Sequence, residues 1–79
     1  AFKIYPNPAS DYFYLDFNGV SQSVQYQLID ISGGLVLSGV ISGNKERIEL
    51  SDLANTSYII KITNLKTNHT RSFNLQKAQ

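Results

Sequence analysis

Apolar residues recur in this chain with a period of two, in short runs broken by turn-forming residues. That alternation restricts the chain to a fold of half-buried strands. Phe13, Leu15 and Phe17 alternate with Tyr12, Tyr14 and Asp16, which gives an extended segment one apolar and one polar face. A helical period fails over the same run. Val24, Tyr26 and Leu28 alternate with Gln25 and Gln27; Leu35, Leu37 and Ile41 share one parity, as do Tyr58, Ile60 and Ile62. Three shorter runs carry the same signal: Phe2 and Ile4, ending at Pro6; Ile48 and Leu50; Phe73 and Leu75. The polar complement is mostly Ser, Thr, Asn and Gln, types that favour strands and turns over helices.

The connections agree. Pro6-Asn7-Pro8 lacks two amide donors and must leave the sheet. Asn18-Gly19 suits the positive φ angles of a tight turn, within a loop that runs on through Val20-Ser21-Gln22. Gly33-Gly34 separates the third and fourth runs, Gly43-Asn44-Lys45 the fourth and fifth, and Lys66-Thr67-Asn68 the sixth and seventh. Ser51 to Thr56 joins the fifth to the sixth, where Ser51-Asp52-Leu53-Ala54 could open one helical turn too short to persist. Turns every 8 to 12 residues or so imply two antiparallel sheets packed face to face. The expected fold is therefore all-β, a seven-stranded antiparallel immunoglobulin-like sandwich, with residues 1–79 as one domain. Neither a linker nor an internal repeat interrupts it.

Composition excludes several functions. A chain of 79 residues buries only about 60% of its extended surface on folding, too little to build a large catalytic cleft. Without Cys it has neither disulfides nor thiolate metal ligands, so stability must come from the apolar core. Seven Lys and Arg stand against six Asp and Glu, a net charge of +1, which is too balanced for phosphate-driven nucleic-acid binding. No apolar run approaches the roughly 18 residues of a transmembrane segment. The chain opens at Ala1 rather than Met, as expected of a piece excised from a longer secreted protein.

The acid-base inventory points away from catalysis. A single His, His69, sits in the Asn68-His69-Thr70 turn, so an imidazole pair for zinc cannot form. No Gly-x-Ser-x-Gly elbow is present. Glu46 and Glu49 fall on opposite faces of a strand, so a catalytic carboxylate pair would need a distant partner. Asp11, Asp30 and Asp52 are separated singles rather than a calcium loop. Asp30-Ile31-Ser32-Gly33 reads instead as an Asx turn whose carboxylate accepts backbone amides. We expect no catalytic residue, metal site or cofactor. Tyr12 and Tyr14 share a face, and a carbohydrate-binding or adhesion module using that face is the alternative reading; packing is the simpler role for such a stripe.

Four segments together carry a family resemblance: Tyr5-Pro6-Asn7-Pro8-Ala9-Ser10; Val24-x-Tyr26-x-Leu28-x-Asp30-x-x-Gly33; Ile48-x-Leu50-x-x-Leu53; and Tyr58-x-Ile60-x-Ile62. They resemble the C-terminal sorting domain of type IX secretion cargo in Bacteroidetes-type bacteria, with Tyr5, Pro6, Asn7, Pro8, Asp30, Gly33, Leu53 and Tyr58 as motif positions. The family usually has Gly two residues before the Tyr of its penultimate strand. Thr56 stands there in this chain, and Asn55 beside it is expected to take the unusual backbone angle instead. The family tail usually ends in Lys among apolar neighbours, whereas this one ends Leu75-Gln76-Lys77-Ala78-Gln79.

The resemblance implies a parent that crosses the inner membrane by a cleavable leader, folds in the periplasm and is shown by this domain to an outer-membrane translocon. It also implies capture by a shuttle barrel, and removal by a sortase that joins the cargo to anionic lipopolysaccharide at the cell surface, with cleavage before Tyr5-Pro6. The last strand and a free tail are the expected recognition element, since an edge strand can pair with a partner. Arg71 and Lys77 would supply charge, Phe73 and Leu75 would anchor the strand, and Gln79 would present the terminal carboxylate. Exposed edges and near-zero net charge also favour weak homodimer formation.

Overall fold

The computed structural model describes residues 2–78. Each alternating run becomes a strand: β1 (Lys3–Tyr5), β2 (Tyr12–Asp16), β3 (Gln22–Ile29), β4 (Leu35–Gly43), β5 (Lys45–Glu49), β6 (Ser57–Asn64) and β7 (Thr70–Gln76). These form a three-stranded sheet in the order β1-β2-β5 and a four-stranded sheet in the order β4-β3-β6-β7. Every paired neighbour is antiparallel. Among the described residues there is no helix, and the arrangement is an immunoglobulin-like sandwich. The Ser51 to Ala54 segment makes only a turn, closed by the Leu53 amide on the Leu50 carbonyl at 2.9 Å.

The inward parity fills the space between the sheets. Phe13, Leu15, Phe17, Ile48 and Leu50 from one layer meet Val24, Leu28, Ile41, Tyr58, Ile60, Ile62 and Leu75 from the other. Each such side chain contributes about 1.5–3 kcal/mol on burial, the main stabilising term in a chain without disulfides. Leu35 departs from the expected parity and is 56% exposed. Its cause is a bulge: Leu28 pairs with Leu37 but Ile29 pairs with Leu35, so Val36 is the extra residue and Leu35 turns to the outer face.

Three connections change sheets: β2 to β3, β4 to β5 and β5 to β6. Asn18 (φ 58) and Gly19 (φ 83) take the positive φ angles expected of them, and the Val20 amide closes their turn on Phe17. The turn does not close a hairpin, because β2 and β3 belong to different sheets. Asn44 alone carries the chain from β4 to β5, held by the Phe17 amide on its carbonyl at 2.8 Å.

The β3–β4 hairpin is closed as the Asx reading predicts. One carboxylate oxygen of Asp30 accepts the Ser32 amide at 3.0 Å, the Ser32 hydroxyl at 2.7 Å and the Gly34 amide at 2.9 Å. The Ser32 hydroxyl, then the Gly34 amide, hold this carboxyl below the ordinary aspartate range.

Candidate recognition edge

The four-stranded sheet ends at β7, and the chain's two ends meet along it. Cis peptide bonds precede both Pro6 and Pro8, and between them Asn7 turns its side chain onto the β7 edge. Asn7 Nδ2 donates to the Asn74 carbonyl at 3.0 Å, and Asn7 Oδ1 accepts the Gln76 amide at 3.1 Å. A primary amide presents one donor and one acceptor side by side, as a backbone strand does, so Asn suits the position.

Ala9 continues the pairing. Its amide donates to the Gln76 carbonyl at 2.8 Å and its carbonyl accepts the Ala78 amide at 2.7 Å, a parallel bridge to Lys77. Ala9 is buried, which explains a small side chain at this point. On its other side the tail is held by the Lys77 amide on the Thr56 carbonyl at 3.0 Å and by the Ser57 hydroxyl on Gln76 Oε1 at 2.6 Å.

The expected free tail is therefore corrected: it is part of the fold as far as Ala78. Lys77 is only 5% exposed, and its Nζ donates to Asn55 Oδ1 at 2.7 Å. Asn55 itself does not take a left-handed angle; among the described residues the non-glycine positions with positive φ are Asn18 and Asn68. Its role is to receive the Lys77 ammonium, through its side chain rather than its backbone.

The other expected recognition residues divide between surface and core. Arg71 is exposed, with its guanidinium 5.3 Å from the Phe73 ring and 5.8 Å from the Phe2 ring. Phe73 is half-buried and meets Phe2 edge-on, with centroids 5.1 Å apart. Leu75 is fully buried, and Gln79 lies outside the described residues. The structure thus brings Arg71 and Phe73 together on a surface that Phe2 completes, with Leu75 beneath it. Phe2, Ala9 and Asn74 were not anticipated for this site. Only the alternation of Phe2 with Ile4 hinted that Phe2 packs inward.

The remaining motif residues have structural partners. The Tyr5 hydroxyl donates to Asp16 Oδ2 at 2.9 Å, and the Tyr58 hydroxyl donates to the Ala54 carbonyl at 2.6 Å. Gly33 (φ 91) takes the left-handed position of the Asp30 turn, and Leu53 packs against the core. Asp16 is held below its ordinary range, first by the Asn18 amide and then by the Tyr5 hydroxyl.

Tyr5, Tyr12 and Tyr14 share the outer face of the three-stranded sheet, but cations stand on their rings. Lys45 Nζ lies 4.6 Å from the Tyr14 centroid, and the Arg47 guanidinium lies 4.0 Å from that of Tyr12. Arg47 also pairs with Glu49. Tyr12 and Tyr14 are inclined at 71° to each other, so they do not form the flat open platform on which a sugar ring stacks.

Fold and edge define a β-sandwich module in which the Asn7 to Ala9 segment is fastened along its last strand. The chain matches the secretion system C-terminal sorting domain over residues 3–76, nearly its whole length, and belongs to that family. The family is a sorting signal for type IX secretion rather than a catalytic one. Cargo proteins that carry it are exported to the cell surface or the extracellular space, which implies interaction with the type IX machinery. A comparison with curated proteins finds no match. Among the described residues no helix is long and apolar enough to cross a membrane.

Proposed function

We propose that residues 1–79 act as a single export handle on a longer periplasmic cargo. A shuttle barrel captures the handle at the outer-membrane translocon, and a sortase then removes it before Tyr5-Pro6 and joins the cargo to anionic lipopolysaccharide. The family match over residues 3–76 is the observation that carries this reading.

In this account the machinery recognises the folded end of β7 rather than a loose peptide. Arg71 and Phe73 are the readable side chains, and Gln79 belongs to the same recognised tail. Leu75 and Lys77 act from inside, as anchors that fix where β7 lies. The fastening of Gln76 and Ala78 to Asn7 and Ala9 supports this division, since it ties the segment next to the cargo boundary to the recognised strand.

The test is a reporter fused between a leader and this domain in a type IX-competent cell, with Arg71→Glu as the variant. Arg71 is exposed, so the variant should fold normally and leave its reporter in the periplasm. Undiminished export of a folded Arg71→Glu fusion would remove Arg71 from the recognition surface.

A further inference from the structure

A sandwich has four edge strands, each a template for pairing unless something blocks it. Three are guarded here. β1 is three residues long, begins at Lys3 and stops before Pro6. β5 reads Lys45-Glu46-Arg47-Ile48-Glu49, with a charge at every position but one. β7 is covered at one end by Asn7 and Ala9 and carries Arg71 at the other.

The fourth edge is different. β4 is nine residues long, Leu35-Val36-Leu37-Ser38-Gly39-Val40-Ile41-Ser42-Gly43, with neither a charge nor a proline. It is the terminal strand of its sheet, and β3 is its pairing partner among the described residues. Leu35 is 56% and Val40 66% exposed. The bulge beside Leu35 twists one end only, and the ladder from Leu37 to Gly43 is regular. Gly39 does not weaken it locally, because the Tyr26 ring lies over that position from the neighbouring strand.

We infer that β4 is a self-pairing edge: two copies of this chain join through antiparallel β4 strands into one continuous eight-stranded sheet. Three observations favour a second copy as the occupant. An antiparallel strand is its own two-fold partner, so one surface serves both sides. A charge-free strand sets no like charges against each other in any register. A net charge of +1 adds little long-range repulsion between copies. A register centred on Gly39 pairs Leu37 with Ile41 on the inner face and Ser38 with Val40 on the outer face. The half-buried Leu37 and the exposed Val40 are thereby brought against the second copy.

The inference stands apart from the export reading, and its test involves no secretion. The 79-residue chain is followed by sedimentation and by amide nuclear magnetic resonance from dilute solution up to about 1 mM, where weak association is detectable. The expected result is a reversible dimer, with concentration-dependent shifts confined to residues 35–43 and their β3 neighbours. Val40→Lys, at an exposed position, should fold normally and weaken the dimer about tenfold or more by placing like charges near the axis. A chain that stays monomeric throughout, a dimer whose shifts fall on β7 or β5, or a dimer indifferent to Val40→Lys would each overturn it.

Discussion

Asn7 holds Gln76 as a neighbouring strand would, accepting its amide at 3.1 Å while donating to the Asn74 carbonyl at 3.0 Å. The two ends of the chain are fastened through one side chain, and a β edge that would otherwise be open is closed by it.

Asn7→Ala removes both bonds and exposes their backbone partners to water. The expected cost is about 1 kcal/mol, read from the urea midpoint, with faster hydrogen exchange at the Gln76 amide and little change in β3. Asn7→Asp keeps the acceptor but sets a carboxylate against the Asn74 carbonyl, and should cost at least as much. Equal protection of Gln76 in all three proteins would count against the clamp.

Deleting Gln76 to Gln79 should destabilise the fold as well as remove a signal, because it takes away the Ala9 bridge, the Thr56 bond and the Lys77–Asn55 bond. We expect a loss of about 2 kcal/mol or more. Lys77→Met keeps the apolar stem and loses only the ammonium bond, so it should fall between the truncation and the unmodified chain. Thermal unfolding of the three proteins checks the order.

Leu75→Ala and Arg71→Ala separate core from surface on one strand. The first empties a fully buried position and should cost about 2–5 kcal/mol. The second removes an exposed guanidinium from two ring faces and should cost about 0.5–1 kcal/mol. A reversed order would mean that β7 is packed the other way round.

The Asp30 turn predicts an acid dependence. Its carboxyl is depressed in the folded chain by the Ser32 and Gly34 bonds. The stability it contributes is thus complete above the ordinary aspartate value and is lost as pH falls through the lower folded value. Asp30→Ala should lower the unfolding midpoint at neutral pH and flatten its decline in acid. Asp16, depressed by Asn18 and Tyr5, acts in the same direction, so some acid dependence should persist in the variant. A decline as steep as in the unmodified chain would contradict the turn's role.

Strands and core were legible because period-two alternation is local and each run carries its own signal. Phe13 and Leu15, or Ile60 and Ile62, declare their faces within a few residues. The Asp30 turn was legible for the same reason. Leu35 was misread because a bulge changes parity without changing composition. The clamp was missed because Asn7 and Gln76 lie at opposite ends of the chain, and nothing near either announces the other. Lys77 read as a solvated charge because a terminal Lys ordinarily is one; only Asn55, brought close by the turn before β6, makes its burial tolerable. The motif Tyr-Pro-Asn-Pro-Ala was recognised as a family mark before its physical work, closing the last strand's edge, could be seen.

The most direct measurement is the location of a reporter carrying a leader and these residues at its C-terminus, in otherwise identical cells with and without a working type IX system. The account predicts reporter at the surface or in the medium of competent cells, and retention in the periplasm both of deficient cells and of competent cells given the reporter without the domain. Periplasmic retention of the fusion in competent cells, with the domain folded, would contradict it.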